Sequence, residues 1–589
     1  MNITQAILHE VEVGKARVIT YVVPLAIALF IVVLYYDYSL YHGLNDAQSM
    51  DNAQVARQIA QGHGFTTKFL RPYAVTQLHD YLTPKTGKLF PNDQFPDGTP
   101  KIIPDTYNAP GYPYLLAGWF KLLHPKFDQS NDEIANQHMY AGDRWIPVLN
   151  QIFMILTAIL VFAMGRILFD NRVAWVSFLA FVCSNLIWQY SITALSTNVL
   201  MFLVTAMLLA LLKIFCVAEA HFENDEPFWS VWLWTIALAV FLIAASLTRL
   251  HLLVLLLPVV AFLAMMPRTN FLLLPLVILL VVGAVIPWFW HVYQVCGSPF
   301  GSNIPELLRG EGSFPDNQIY CLPHIPSYEQ IYKDLVKKEF SGFRWHFEHG
   351  WDLLGSNPMV LLFAASLLHR FKRPRANIFR WFAVGAAFCL IAANNLGDPT
   401  PDALGAWNTV IVLLPGMIVV GTAFFFILLD RLDLQLWLIN NTIIITILAL
   451  GAVPLILTVT TTETKYFNYP PYFPSIISQI SQMAHPDEWV TTDMPWATAW
   501  YGDRASLWLP DKISDFEDYH DNYCPTGILF ISSVSIEAPM SHMVSGEYAD
   551  WFAVFAGSNI PPNFPFNSHA NFEQFHIDYF IWSDTIRWK

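Results

Sequence analysis

NDAQSMDNAQVARQIAQGHGFTTKFLRP, residues 45–72, decides how this chain is read. It follows directly on the first long hydrophobic stretch. Met50, Ala53, Val55 or Ala56, and Ile59 recur at helical spacing, with Gln54, Arg57, Gln58 and Gln61 between them. Gly62 and Gly64 supply a stop signal. The spacing predicts a short amphipathic helix at a membrane boundary, carrying Asp51, with Asp46 just ahead of it. A carboxylate in that position can take a proton from a hydroxyl acceptor, which is a poor nucleophile until deprotonated. Either acid, or Ser49, can instead cap the helix start.

Outward from that stretch, the composition is that of a membrane protein. Hydrophobic residues make up 54% and charged residues 13%, against about 25% charged in soluble domains. The 21 Trp and 24 Tyr suit interfacial belts. A net charge of −14 argues against nucleic acid as a partner. Residues 1–18 are polar and the next stretch lacks a small-residue cleavage site, so it reads as a retained signal anchor.

Apolar stretches of spanning length suggest about eleven transmembrane helices. They fall near 19–40, 145–167, 173–190, 197–217, 229–247, 250–267, 270–294, 352–369, 378–396, 407–429 and 435–458. Arg166, Arg172, Arg268, Arg431 and the cluster Arg370, Lys372, Arg373 and Arg375 then share one side with the N-terminus, the cytoplasmic side by the positive-inside rule. Three polar regions face the other way: 41–144, 295–351 and 459–589. The division expected is a membrane domain, 1–458, and an extracytoplasmic C-terminal domain, 459–589. In the latter, Pro474 to Met483 reads as helix, and Glu488 to Thr492 and Gly527 to Val534 as strands, giving a small α/β domain. Cys296 and Cys321 share one outer loop and can pair if that side is oxidising. No Cys/His metal pattern occurs.

There is no phosphate-binding loop and no dinucleotide fingerprint. The spans hold almost no interior charge, unlike ion pumps and proton-coupled transporters. Ionisable groups gather instead at span ends: Asp46, Asp51, Arg57, Arg71, Asp143, Arg144, Arg249 and His251. Arg249 and His251, at an outer turn, suit a lipid phosphate, for which Arg supplies a planar fork; snorkelling explains them equally. Arg57 and Arg71, with Lys68, add positive charge near Asp51, and Arg57 and Arg71 are further candidates for holding the donor phosphate; a solvated helix face explains Arg57 equally. Asp143–Arg144 is either a headgroup contact or an interfacial pair. Asn108-Ala-Pro-Gly-Tyr-Pro113 fixes the entry of a second amphipathic segment, Tyr112 to Leu123. Near the C-terminus, Asp493 to Arg504 gathers Trp496, Trp500, Tyr501, Asp503 and Arg504, either a sugar-stacking surface or a domain core.

Asp51-Asn-Ala-Gln-Val-Ala-Arg57, Pro110-Gly-Tyr-Pro113, Arg144, Gly165-Arg166 and the run Trp288 to Phe300 together resemble the GT-C membrane glycosyltransferases. The nearest in kind are bacterial proteins similar to protein O-mannosyltransferases and lipid A aminoarabinose transferases. The resemblance covers the whole membrane part. It implies a GT-C-like fold in a bacterial inner membrane and sugar transfer from a polyprenyl-phosphate donor to a protein, lipid or glycan acceptor. It further implies that the first-loop acid is the base. This chain departs from the pattern in three places. The relatives' earlier acid falls near Gln48, an aromatic stands where Asn52 is, and a second acid falls at Ser196-Thr197-Asn198. The residues themselves indicate no cofactor. A divalent cation (Mg or Mn) is the one addition left open, and the missing second acid weakens a metal-bridged mechanism. The Trp-Trp-Asp signature of oligosaccharyltransferases is absent. Two other readings remain: a non-catalytic assembly subunit on the same fold, and a transporter or flippase for a lipid-linked glycan.

Overall fold

The computed structural model describes residues 15–86, 103–127, 139–224, 229–265, 272–303, 328–433, 437–460, 472–510, 512–523, 525–532, 551–552, 554, 562, 564–574 and 577–588. Residue 321, and with it the Cys296–Cys321 pairing, lies outside the described residues, as does the stretch 87–102 in the first loop.

Among the described residues, eight helices are long and apolar enough to cross a membrane: Val23–Leu40, Ala141–Leu168, Thr197–Glu219, Trp229–Thr248, Leu273–Cys296, Pro374–Gly397, Val410–Arg431 and Trp437–Thr460. The chain is an integral membrane protein. The other three expected spans are helical but irregular. Asn171–Val182 and Asn185–Ser191 form a pair bent by 57°. Leu250–Met265 is short, and the stretch expected at 352–369 holds the end of one helix, at Leu353, and a separate helix from Pro358 to Ser366. The physical reason is local. Ser184, with an extended backbone, interrupts the first of these, and Asn357 caps the last through the Met359 N–H.

The first loop folds as its pattern predicts. A helix runs Ala47–Gln61, started by Asp46, whose carboxylate accepts from the Ser49 N–H at 2.8 Å. It is stopped by Gly62 in the left-handed region at φ 92°. A second helix, Gly111–Leu123, packs its apolar face on the first.

The C-terminal region holds the expected helix Pro474–Met483 and strands near the expected places. It is not self-contained. Number the strands β1 (Thr66–Thr67), β2 (Phe69–Leu70), β3 (Ile103–Pro104), β4 (Trp489–Thr492), β5 (Ser506–Trp508), β6 (Thr526–Ser532), β7 (Ser568–Gln574) and β8 (Ile577–Ser583). Six of them form one sheet in the order β2-β5-β4-β6-β8-β7. Its edge strand, β2, belongs to the first loop and pairs in parallel with β5. One buried cluster joins both regions, from Met50, Ala53 and Ala56 to Trp496, Ala497 and Trp500. The boundary at 458 therefore separates stretches of sequence, while the loop and the tail share a core.

Candidate active site

Asp51 sits on the Ala47–Gln61 helix with no exposed surface. Its Oδ2 accepts from the Arg71 guanidinium at 2.8 Å and from the Asn108 amide at 2.9 Å, and its Oδ1 from Gln54 Nε2 at 3.0 Å. Arg71 is clamped between the rings of Tyr107 and Phe69, at 3.5 and 4.0 Å. The sequence reading missed a second acid here, Asp105. Its Oδ2 accepts from the same Asn108 amide at 2.8 Å, and its Oδ1 from the Tyr107 N–H at 2.8 Å. Burial pushes the Asp105 carboxyl up, the Asp51 charge adds to that, and Arg71 opposes it. An Asp followed by a turn back to its own carboxylate is an Asx pattern legible at Asp105-Thr-Tyr-Asn108.

These acids stand behind a wall. A cavity of about 800 Å³ lies beside them, lined on that side by Gln48, Asn52, Tyr107 and Asn108. Asp51 and Asp105 do not line it. The Asn108 amide is fully used, with its Oδ1 accepting from Gln48 Nε2 at 2.9 Å and its Nδ2 bridging both carboxylates.

Arg249 and His251 line the same cavity. Arg249 Nε donates to Ser196 Oγ at 3.1 Å, and its Nη1 to the Ala406 carbonyl. Burial lowers the Arg249 pKa, with Tyr190, Tyr107 and Asp46 acting in the opposite sense. The His251 ring stacks on Trp407, with ring centroids 5.8 Å apart. Two close approaches bring these elements together. A Cβ on Gly111 would fall 2.6 Å from Thr248 Oγ1, so only glycine lets the second loop helix touch the end of the span before Arg249. A Cβ on Gly301, at φ 58°, would fall 2.0 Å from the Thr106 carbonyl oxygen, which accepts from the Ser302 N–H at 3.1 Å. The lining also includes Glu339, whose carboxylate accepts from Asn395 Nδ2 at 3.2 Å and whose pKa burial raises.

Several expected site residues lie elsewhere. Asp46 caps the loop helix. Arg57 is buried away from the cavity, donating to the Ala499 carbonyl at 2.7 Å, the Trp500 carbonyl at 2.9 Å and Tyr140 Oη at 3.1 Å, and paired with Asp503 at 2.8 Å. Lys68 joins Asp503 at 2.7 Å. Arg71 is committed to Asp51 and does not line the cavity. Asp143 accepts from Trp500 Nε1 at 2.7 Å, and Arg144 is exposed. Trp496, Trp500 and Tyr501 are buried where the tail docks on the loop, Trp496 donating to Tyr472 Oη and Tyr501 to the Leu44 carbonyl. They form no sugar-stacking surface, and neither Asp503 nor Arg504 lines the cavity. For Arg57, Lys68, Asp143, Trp496, Trp500 and Tyr501 the cause is shared: the tail docks on the first loop, and residues read as ligand contacts become the packing between them.

Among the described residues no group of three His, Cys, Asp or Glu side chains could hold a metal ion. At Asp51 the neighbouring positive charge is the Arg71 guanidinium.

No family model matches the sequence, and no curated protein matches it. Solved structures match over nearly the whole chain. The aminoarabinose transferase ArnT from Cupriavidus metallidurans, bound to undecaprenyl phosphate, is similar at a TM-score of 0.55 and 11% identity, covering 96% of this chain and 98% of that one. Its apo state gives 0.53 and 12%, with the same coverage. The oligosaccharyltransferase of Archaeoglobus fulgidus in its apo form gives 0.54 and 10%, covering 98% of this chain and 75% of that one. Both proteins are GT-C membrane glycosyltransferases, and the chain has their fold.

Proposed function

We propose that the protein is a glycosyltransferase that moves a sugar from a polyprenyl-phosphate donor to a hydroxyl of a protein, lipid or glycan. The observation that carries this is the cavity. Its walls are mostly apolar, and Arg249 lines it together with Gln48, Asn52 and Asn108, the amide wall backed by Asp51. An isoprenoid suits such walls, and a guanidinium suits a phosphate. The similarity to a transferase structure bound to undecaprenyl phosphate supports the same reading.

In this reading Arg249 holds the donor phosphate and His251 borders it. An acceptor hydroxyl displaces the Asn108 amide from Asp51, which takes the hydroxyl proton. The acceptor oxygen bonds to the anomeric carbon from the face opposite the phosphate, inverting it. The sugar–phosphate C–O bond breaks, and its electron pair leaves on the polyprenyl phosphate beside Arg249. Arg71 orients Asp51. The test compares Arg249→Gln with Asp51→Glu in membranes supplied with a polyprenyl-phosphate sugar. Arg249→Gln should weaken donor binding, and Asp51→Glu should slow turnover with donor binding unchanged. Full turnover in both variants would reject the assignment.

One observation favours a second reading. Gln48, Asn52 and Ser196 occupy the positions where the resembling proteins carry two acids and an aromatic, and all three line the cavity. A non-catalytic assembly subunit accounts for that neutral wall. It predicts fixed-stoichiometry co-purification with a partner protein and no bound prenyl lipid.

A further inference from the structure

The helix Tyr328–Leu353 lies across the ends of two spans. Lys338 Nζ donates to the carbonyls of Leu396 and Gly397, at the end of the Pro374–Gly397 span. At the other end of the helix, the Leu353 carbonyl accepts from Asn408 Nδ2, just before the Val410–Arg431 span begins. Those two span ends are joined by residues 398–409, so they lie on one side of the membrane. The helix is therefore level with the membrane boundary. Its contact with the first span is close: a Cβ on Gly342 would fall 2.2 Å from Asn395 Oδ1.

The face turned away from these contacts is aromatic. Tyr332, Val336, Phe340, Phe347 and Trp351 recur at three- and four-residue multiples, one stripe of the helix. All are exposed, Phe340 by 77% and Phe347 by 91%. Lys333, Lys337 and Arg344 run along one edge of the stripe, and Arg344 pairs with Glu348 at 2.8 Å. The stripe continues the span's own apolar surface. Phe343 stacks on Phe388 at 4.9 Å, and Phe388 and Trp381 are exposed on the span's flank.

We infer that the aromatic stripe of Tyr328–Leu353 is a lipid-contact surface, seated at the acyl–headgroup boundary of the leaflet on the cavity's side. Chains of that leaflet cover Phe340 and Phe347, at a depth of about 5–10 Å. Lys333, Lys337 and Arg344 reach the headgroups with their stems along the stripe. Glu339, one residue from Phe340, lines the cavity, so this helix is the partition between cavity and bilayer. The inference does not depend on the reaction proposed above.

Nitroxide labels on Phe340→Cys, Phe347→Cys and Glu348→Cys test it, in lipid nanodiscs, with the unsubstituted chain's signal subtracted. These side chains are exposed, so the fold tolerates the change. Labels at 340 and 347 should show a higher oxygen-to-nickel accessibility ratio than the label at 348. Equal ratios at all three would place the stripe in water and overturn the inference. Exclusion of both reagents at 340 and 347 would show a protein partner there, and would overturn it too.

Discussion

Replacing Arg57 with Met keeps the length of the side chain and removes three polar contacts between the first loop and the tail, to the Ala499 and Trp500 carbonyls and to Asp503. Two of these are charge-assisted bonds to buried carbonyls at the end of the helix Pro495–Tyr501, each contributing about 1.5–3 kcal/mol. The ion pair to Asp503 adds little. That carboxylate is 46% exposed and keeps Lys68, and such pairs contribute at most about 1 kcal/mol. Loss of the cation–π contact with Trp500, at 4.8 Å, is of similar small size. The two carbonyl bonds alone set a floor of about 3 kcal/mol, and removal of a buried charged partner costs about 3–5 kcal/mol. Hydrogen exchange in detergent micelles reads this locally. Amides of residues 47–61 and 489–508 should exchange faster by two to four powers of ten, at about 1.4 kcal/mol per tenfold, while spans such as Thr197–Glu219 stay protected. Arg57→Lys should recover part of the loss, since it keeps charge but not the fork. Acceleration below about fivefold in Arg57→Met, less than about 1 kcal/mol, would refute the claim that Arg57 locks the two regions.

The same junction has an acid limit. Burial would raise the Asp503 carboxyl, but Arg57 and Lys68 hold it below the usual range. A carboxyl depressed in the folded state stabilises above its unfolded pKa, about 3.9, and that contribution is lost as pH falls through the folded value. Exchange of 489–508 should therefore rise below about pH 4, and Asp503→Asn should flatten the rise. Gly111→Ala should lower thermal stability by about 1–3 kcal/mol through overpacking against Thr248, and should reduce turnover with it. Melting and activity measured on one preparation check this, and an unchanged melting temperature would count against the close approach.

Most of the membrane part was legible because long apolar stretches have few alternatives in a bilayer. The Ala47–Gln61 helix was legible from its period and from Gly62. The broken spans were not. An apolar run carries no mark of where a backbone bends, and Ser184 and Asn357 are weak signals amid hydrophobic neighbours. Arg249 and His251, which line the cavity, stood out in the sequence because they interrupt an otherwise nearly continuous apolar run from 229 to 267. Asp105 was missed because it follows a stretch rich in turn residues, where polar side chains are common. Arg57 was misjudged for a different reason. A helical wheel shows its polar face, but the Trp500 carbonyl that covers it comes from 443 residues further along the chain. Trp496, Trp500 and Tyr501 were ambiguous on the same ground, since an aromatic cluster looks alike whether it awaits a sugar or a neighbouring helix.

Native mass spectrometry of the protein released directly from membranes tests the central claim, that the Arg249 cavity takes a phosphorylated isoprenoid. A polyprenyl phosphate or its glycoside should be bound to the unsubstituted chain and largely lost from Arg249→Gln. A chain that carries neither, and takes up neither when they are supplied in excess, would contradict the account.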